Sequence, residues 1–323
     1  MATEKLEPHA SPNPRRQSAQ YYLLNFMESL IARLKICGRL RTSETYRQAL
    51  NSFRRFLSAT GNIGRRSSCD IRLKHVTGET MESYEAWLKA RGNVPNTVSF
   101  YMRILRAVYN RAVEQDMTVD RKPFRRVYTG VDKTVKRALP LKTIRKIKTM
   151  DLTHCPKADF ARDMFMLSFY LCGMSLIDMA YLKKSDLHDG VLVYRRQKTG
   201  RRISIRWTAE MQAVLNKYDP NPTDYMLPII TSEECDPRLA YRRQGYNINR
   251  NLKIVGRHLN PPVSLTLYCS RHSWASAARS NGVAISVISE ALGHDNESTT
   301  NIYLASLDTS AVDSANRLIL GLL

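Results

Sequence analysis

Apolar residues recur at intervals of three and four positions through most of this chain, and that spacing is typical of one buried face of an α-helix. In the N-terminal part the pattern predicts four consecutive helices, separated from one another by glycine or polar residues. These segments are residues 20–37, 43–57, 77–88 and 96–114. Four helices that each have one apolar face predict a small helical bundle.

One later segment has a different period. Residues 191–207, VLVYRRQKTGRRISIRW, contain two runs in which apolar and polar residues alternate around Lys198-Thr199-Gly200, and this pattern predicts a β-hairpin. Helical spacing surrounds the hairpin, so the predicted fold class is mainly α with a small antiparallel β-hairpin or sheet. The predicted helices of this part begin after Pro140 and then cover residues 158–172, 176–183, 208–218, 237–259, 273–280 and 285–292.

The chain of 323 residues is longer than a single hydrophobic core usually supports, so two domains are expected. We predict a helical domain over residues 20–115 and an α+β domain over residues 140–308. Residues 116–139 interrupt the periodic pattern with seven Lys or Arg against three Asp, which predicts a basic linker. Residues 1–19 are predicted to be a flexible basic tail, because they contain too little apolar surface to offset the entropy of ordering. Residues 309–323 are strongly apolar and predict a C-terminal tail helix.

The charge balance indicates a polyanionic partner. The chain has 50 Lys and Arg against 29 Asp and Glu, a formal net charge of +21, which favours nucleic acid first and an anionic membrane second. A membrane partner is not expected, because no apolar run approaches about 18 residues and the N-terminus lacks the apolar core of a signal peptide. We therefore predict a cytoplasmic protein. Its six cysteines form no C-x-x-C pair, so neither a disulfide framework nor a zinc site is expected.

Several arginines lie on the polar faces of the predicted helices, beside the hairpin turn or in the linker, where they could contact a DNA backbone. The alternative is that each belongs to an ordinary solvated face, which is the commoner role of a surface charge. The candidate DNA-binding residues are Arg47, Arg103, Arg106, Arg125, Arg126, Arg201, Arg202, Arg242 and Arg243.

Residues 265–304 contain the groups needed to attack a phosphodiester. Tyr303 follows His294 by nine residues, and Arg271 with His272 lies upstream. A phenol has an ordinary pKa of about 10, so it needs partners that accept its proton and neutralise the developing charge. An arginine can bind two phosphate oxygens at once, and histidines can donate to the same oxygens or transfer protons. Taken singly, each of these residues is more often structural.

Taken together, their order and spacing resemble the catalytic half of the tyrosine recombinases, also called the phage integrase family. The resemblance extends over about residues 21–323. It is carried by RHSWA, LGHDNESTTNIYLASLD and, earlier, GMSLIDMAYLKKSDL, which are most similar to the branch found in Bacteroides-type mobile elements and DNA invertases. It implies a SAM-like helical core-binding domain followed by an α+β catalytic domain.

The resemblance also implies an activity. Tyr303 would form a 3′-phosphotyrosyl bond with DNA, Arg271 and His294 would stabilise the phosphate charge, and Lys198 would protonate the leaving 5′ oxygen. Double-stranded DNA with inverted-repeat sites and a homotetrameric synapse are the expected partners, with no metal and no other cofactor. The outcome would be DNA integration, excision or inversion. A type IB topoisomerase-like enzyme and a catalytically inactive DNA-binding regulator are the alternatives.

Two positions depart from the family pattern. Ser175 stands where the family has its first arginine, and Tyr268 stands where it has the histidine of H-x-x-R. Ser175 with Asp178 also has the form of a helix cap. If the protein is active, the missing positive charge is expected from Arg201 or Arg202, the nearest candidates in sequence. Tyr268 could donate to a phosphate oxygen, and His272 could take over the proton transfer.

The apolar C-terminal tail leaves two interpretations open. It packs on its own domain, or, as the resemblance implies, it docks on a neighbouring protomer and couples the active sites.

Overall fold

The computed structural model describes residues 21–60, 70–132, 137–233 and 236–305. They divide after Asp132 into two compact units, and each is described by itself. The predicted N-terminal tail, residues 1–19, and the predicted tail helix, residues 309–323, lie outside the described residues.

Four α-helices form the first unit, and they confirm the bundle predicted from apolar spacing. Tyr84 lies at the centre of its aromatic core, edge-on to Phe53 with ring centroids 4.9 Å apart, and donates its hydroxyl proton to Ser52 Oγ at 2.8 Å. The buried phenol therefore keeps a hydrogen-bond partner. The helices are α1 (Leu23–Ile36), α2 (Leu40–Ala59), α3 (Gly78–Ala90) and α4 (Pro95–Glu114), with a short 3-10 helix at Leu73–His75.

Most of the segment that was predicted to be a linker packs on this bundle. The side chains of Phe124 and Val127 are buried in its core. Farther along, Asn96 and Asp132 exchange two hydrogen bonds, of 2.9 and 2.8 Å. The basic linker predicted over residues 116–139 thus packs on the bundle through part of its length. The apolar side chains of Phe124 and Val127 contribute to this attachment.

The second unit combines helices with a three-stranded antiparallel sheet in the order β1-β2-β3. The pair β2–β3 is the predicted hairpin, with Leu192 opposite Ile205 and Tyr194 opposite Ile203. This confirms a mainly α fold class with a small antiparallel sheet. The strands are β1 (Leu187–His188), β2 (Val191–Arg195) and β3 (Arg202–Arg206). The helices are α5 (Leu141–Thr149), α6 (Pro156–Tyr170), α7 (Leu176–Ala180), α8 (Ala209–Leu215), α9 (Pro237–Arg257), α10 (Leu267–Ser280), α11 (Ile285–Ala291) and α12 (Glu297–Ala305), and a short 3-10 helix at Lys184–Asp186 precedes β1.

Helix α6 lies at the centre of the second unit and packs against α9 and α10. Its residues Ala161, Phe165 and Leu167 are completely buried. The nearly continuous apolar run from which this helix was predicted reflects contact on several sides, because a helix with a single buried face would alternate with polar residues. Neither α6 nor any other helix in the described ranges has the length and apolar composition needed to span a membrane.

Helix α10 begins six residues earlier than the sequence predicted. It starts at Leu267, whereas the apolar pattern placed the start at Ser273. The polar residues Arg271 and His272 interrupted that pattern, although both side chains are buried in the folded unit. The earlier start places Tyr268 and Arg271 on the same helix, one turn apart.

Candidate active site

Arg271 is a buried cation held by backbone carbonyl groups. Its side chain lies on α10 and the residue is 3% exposed. Nη1 donates to the carbonyl of Gly173 at 2.9 Å, and Nη2 donates to the carbonyl of Leu292 at 2.6 Å and to His294 Nε2 at 3.3 Å. A guanidinium group presents five donors in a rigid plane, so contacts on one edge fix the direction of the whole group.

Gly173 allows α6 and α10 to approach closely at this point. Its φ is +75°, and a Cβ atom there would lie 2.8 Å from Arg271 Cα. The sequence predicted Gly173 as the end of the preceding helix, and the structure adds that a side chain would displace Arg271. Glycine is therefore required both for the backbone conformation and for the contact.

His294 lies against Arg271 and is 8% exposed. Its Nδ1 is 2.8 Å from the hydroxyl of Thr300, which is completely buried on α12. Burial, followed by the positive charges of Arg271, Arg196 and Lys198, lowers the pKa of His294 to about 4. The ring is therefore neutral at physiological pH.

The β2–β3 turn is attached to the backbone beside His294. Arg196 Nη1 donates to the carbonyl of Gly293 at 2.5 Å, and Thr199 Oγ1 donates to the same oxygen at 3.3 Å. Arg201 donates to the carbonyl of His294. Lys198 is exposed in this turn, and its positive charge is one of those that lower the pKa of His294. The hairpin turn therefore brings a lysine to the site of His294 and Arg271.

Arg196 is a buried arginine that the sequence analysis did not consider. It is 7% exposed, and its Nε, which lies 3.9 Å from Asp178 Oδ2, has no hydrogen-bond partner among the described residues. The alternation of the strand could have indicated that Arg196 is buried. Leu192 and Tyr194 point to the core, and Arg196 is the next residue on the same face. A buried arginine at the end of an apolar strand face is uncommon without a function.

Ser175 and Asp178 connect the position of the missing family arginine to the hairpin. Ser175 Oγ donates to Asp178 Oδ2 at 2.6 Å, and Gln197 N donates to Asp178 Oδ1 at 2.8 Å. Ser175 is the N-cap residue of α7, but its side chain accepts no hydrogen bond from the helix backbone. The predicted capping box is therefore corrected: the serine binds the carboxylate, and the carboxylate binds the hairpin.

The rings of Tyr268 and His272, both on α10 with Arg271, make an edge-to-face contact. Their centroids are 4.6 Å apart and their planes are nearly perpendicular. Tyr268 is 54% exposed, whereas His272 is buried. Tyr268, Ser175 and Arg271 line a cavity of about 270 Å³ at the start of α10. The exposed phenol of Tyr268 lines this cavity, and the buried ring of His272 packs against it.

Tyr303 lies on α12, one helical turn after Thr300. The described start of this helix is capped by the side chain of Asn296, whose Oδ1 accepts from Thr299 N at 2.9 Å and from Ser298 Oγ at 2.7 Å. The completely buried Leu304 packs with residues of α10 and α11 in a small apolar cluster, which fixes the helix in the second unit.

The candidate DNA-binding arginines are on the surface, but their environments differ. Arg47 pairs with Glu28 at 3.6 Å, Arg106 donates to Thr129 Oγ1 at 3.2 Å, and Arg126 lies 3.9 Å from Glu82. Exposed ion pairs of this kind are weak and leave the cation able to bind phosphate. The remaining candidates are all exposed, namely Arg103, Arg125, Arg201, Arg202, Arg242 and Arg243.

Helix α9 carries an exposed stripe that the sequence analysis saw only in part. Tyr246 is 70% exposed and lies among the exposed cations of this helix. The stripe continues the predicted pair of arginines on α9 with residues of the same helical face. It consists of Leu239, Arg242, Arg243, Tyr246, Arg250 and Lys253. Within the described ranges, no group of three or more His, Cys, Asp or Glu side chains is arranged to hold a metal ion.

Comparison with known proteins identifies the class to which this fold and this cationic site belong. Residues 22–129 match the phage integrase SAM-like domain, and residues 142–310 match the phage integrase family. The chain is similar to tyrosine recombinase XerA of Thermococcus onnurineus, with 24% identity over 262 residues that cover 70% of this chain and 90% of that protein. It is also similar to tyrosine recombinase XerC of Bacillus licheniformis, with 26% identity over 267 residues that cover 80% and 83%.

A solved structure has the same fold. The crystal structure of a lambda integrase tetramer bound to a Holliday junction matches with a TM-score of 0.63 at 14% identity, over 88% of this chain and 78% of that one. The second family match spans more than half of the 323 residues. This protein therefore belongs to the phage integrase family and is a tyrosine-type site-specific recombinase.

The contact between Gly173 and Arg271 yields a first prediction. Gly173→Ala should reduce DNA cleavage strongly, because the new methyl group displaces Arg271, and it should also lower the free energy of unfolding. Gly282→Ala is the matched control, since Gly282 has a φ of +78° but nothing within 4 Å of its Cβ position. Both substitutions cost about 1–2 kcal/mol of backbone strain, and only Gly173→Ala also adds a contact with Arg271. An equal loss of cleavage in the two variants would therefore contradict the importance of that contact.

The buried histidine yields a second prediction, for the DNA-free protein. Because the pKa of His294 is about 4 when folded and about 6.5 when unfolded, the unfolded chain binds more protons between these values. His294 therefore contributes stability above pH 6.5 that is lost as the pH falls towards 4. In an NMR titration its ring signals, assigned with His294→Gln, should not move between pH 5.5 and 8. A midpoint near 6.5 would show that the ring is not shielded in this way.

Proposed function

We propose that this protein cuts and rejoins DNA strands through a 3′-phosphotyrosyl intermediate on Tyr303. The observation that supports this best is the convergence of Arg271, Arg196 and Lys198 on one neutral histidine, His294. Cations gathered around a buried site favour an anion as their ligand, because each is poorly solvated there. A phosphodiester has the charge and the oxygen geometry that fit an arginine fork.

In the proposed reaction the phenol oxygen of Tyr303 attacks the scissile phosphorus. The new P–O bond forms as the bond to the 5′ oxygen breaks, so a free 5′-hydroxyl and a covalent 3′-phosphotyrosine result. Lys198 supplies the proton to the leaving oxygen, and Arg271 with His294 stabilises the charge on the non-bridging oxygens. In the reverse direction a 5′-hydroxyl of a second duplex displaces the tyrosine. The bond energy is retained, so the reaction needs no nucleotide hydrolysis.

Arg196 is our candidate for the charge that Ser175 cannot provide. It reaches the site from the hairpin, it is buried, and Asp178 links it to Ser175. Arg201 and Arg202 remain predicted contributors, but the first binds the carbonyl of His294 and the second is exposed at the start of β3. Buried Arg196 is better preorganised to stabilise a developing negative charge than exposed Arg202, which would first have to lose its solvation.

The proton of Tyr303 also needs an acceptor. Tyr268 occupies the position of the family histidine, and the adjacent His272 is the nearest imidazole on that helix. We propose that Tyr268 donates a hydrogen bond to a phosphate oxygen and that His272 orients it and assists the proton transfer. The perpendicular contact between their rings supports a joint role.

The exposed arginines of both units are proposed to bind the duplex. Phosphate contacts from α4 and from residues 121–126 would fix one unit on DNA, while the α9 stripe around Tyr246 adds a surface that is both cationic and aromatic. We further propose inverted-repeat target sites, a homotetrameric synapse and action in the cytoplasm. The lambda integrase tetramer on a Holliday junction supports such an assembly by analogy of fold. Integration, excision or inversion within a Bacteroides-type mobile element is the proposed biological role.

The direct test of the function uses Tyr303→Phe and a suicide substrate nicked beside the scissile phosphate. The wild-type protein should form a covalent DNA adduct, and the variant should form none while binding a half-site with nearly unchanged affinity, because only the nucleophilic oxygen is removed. A DNA-binding regulator would form no adduct in either case. Relaxation of a supercoiled plasmid that lacks any target site would instead favour a type IB topoisomerase.

The role of Arg196 has its own test. Arg196→Met should slow adduct formation by about 100-fold or more, the usual cost of one preorganised donor. Arg202→Ala and Ser175→Ala serve as comparisons and should cost less. A substrate with a neutral methylphosphonate at the scissile position should recover much of the lost rate if Arg196 balances phosphate charge. Equal rates for wild type and Arg196→Met would remove this arginine from the site.

A further inference from the structure

A hydrogen-bonded chain joins the helix that carries Tyr303 to the buried arginine. Thr300 Oγ1 lies 2.8 Å from His294 Nδ1, and His294 Nε2 lies 3.3 Å from Arg271 Nη2. All three residues are buried, and Thr300 is 0% exposed. Thr300 also stands one turn before Tyr303 on α12, so its position and that of the tyrosine backbone are fixed together.

The donors in this chain have a defined direction. An arginine donates hydrogen bonds and accepts none, so Nε2 of His294 is the acceptor of its contact with Arg271. A neutral imidazole with an accepting Nε2 carries its proton on Nδ1. The Nδ1–H group therefore donates to the hydroxyl oxygen of Thr300. Arg271 sets the tautomer of the ring, and Thr300 provides the acceptor that holds the ring in this orientation.

This choice of tautomer matters once a phosphate is bound. With Nδ1 already protonated and bound to Thr300, any additional proton can be taken up only at Nε2, which then donates to the phosphate and no longer accepts from Arg271. An anionic phosphate beside Arg271 favours that protonation, because a nearby negative charge stabilises the imidazolium. The hydroxyl of Thr300 remains a suitable acceptor in both charge states, so the ring does not have to turn during the reaction.

We propose that Thr300 is a positioning residue, which aims Nε2 of His294 at the scissile phosphate and keeps the helix of Tyr303 in register with that histidine. This inference rests on the proposed function for its catalytic meaning. The contact itself is a property of the folded protein. Asn or Gln would not replace the threonine easily, since a completely buried site leaves no room for a larger side chain.

The environment of His294 contains several charges besides this contact. Arg271 approaches from α10, and Arg196 and Lys198 approach from the β2–β3 turn, while Asp295 is the neighbour in sequence. The three cations favour the neutral ring, and Asp295 opposes them. Substitution of Thr300 leaves all four in place, so a changed pH profile would report the lost hydrogen bond.

Three variants test the proposal. Thr300→Val keeps the shape of the side chain and removes the hydroxyl group, whereas Thr300→Ser keeps the hydroxyl group. Thr299→Val is the matched control, because Thr299 is the exposed neighbour on the same helix and its hydroxyl group bonds Asn296. Thermal unfolding of each variant establishes that it is folded, and half-site binding should be unchanged in all three.

The first readout is the single-turnover rate of adduct formation on the suicide substrate from pH 5 to 9. We expect Thr300→Val to be at least tenfold slower, with a pH profile that differs in shape from the wild type. Thr300→Ser and Thr299→Val should stay within threefold and keep the wild-type profile. A wild-type rate and profile in Thr300→Val would overturn the proposal, and so would equal losses in Thr300→Val and Thr300→Ser, which would indicate packing alone.

The second readout needs no activity. In ¹⁵N spectra of the imidazole, wild-type His294 should show the Nδ1–H tautomer with a hydrogen-bonded Nδ1–H group. In Thr300→Val the Nδ1 resonance should shift, because the acceptor of that hydrogen bond is removed. An unchanged Nδ1 resonance in Thr300→Val would contradict the proposal. If the wild-type protein forms no adduct at all, the proposed function fails, and this measurement still decides whether Thr300 orients the ring.

Discussion

The burial of the Arg271 guanidinium group is the interaction on which the rest of the site depends. Removing a cation from water costs several kcal/mol unless hydrogen bonds replace the lost solvent. Here the replacements are the carbonyl groups of Gly173 and Leu292. Leu292 caps the end of α11, where carbonyl groups lack partners within the helix, and Gly173 lies in the turn that follows α6. The arginine thereby joins the end of α11 to this turn, and the direction of its own side chain is fixed.

The same backbone segment also holds the hairpin. Gly293 and His294, which directly follow Leu292, accept hydrogen bonds from Arg196, Thr199 and Arg201. A shift of this segment would therefore move Arg271 and the hairpin with Lys198 at the same time. Burial, together with these positive charges, lowers the pKa of His294 and keeps its ring neutral in the absence of DNA. We infer that the unit is assembled as a preformed anion site before the phosphate arrives.

Local periodicity was sufficient to predict the helices of the first unit and the β2–β3 hairpin, because both depend on which face of a segment is buried. It failed where a tertiary contact decided the outcome. Phe124 and Val127 attach a charged segment to the bundle, and buried Arg271 lies in a helix whose start the apolar pattern missed. The same is true of the site. Arg271 contacts His294 and the charge of Lys198 acts on the same ring, while their catalytic roles stay predictions. Arg196 was overlooked, since a motif lists positions and cannot show which strand residue turns inward.

If the guanidinium group of Arg271 stabilises the phosphate during cleavage, Arg271→Lys should impair that step, because lysine retains a positive charge but lacks the planar pair of donors. The measurement is the single-turnover rate of adduct formation by this variant. We expect a rate lower by about 100-fold or more, with half-site binding reduced only slightly. Cleavage at the wild-type rate in this variant would contradict it.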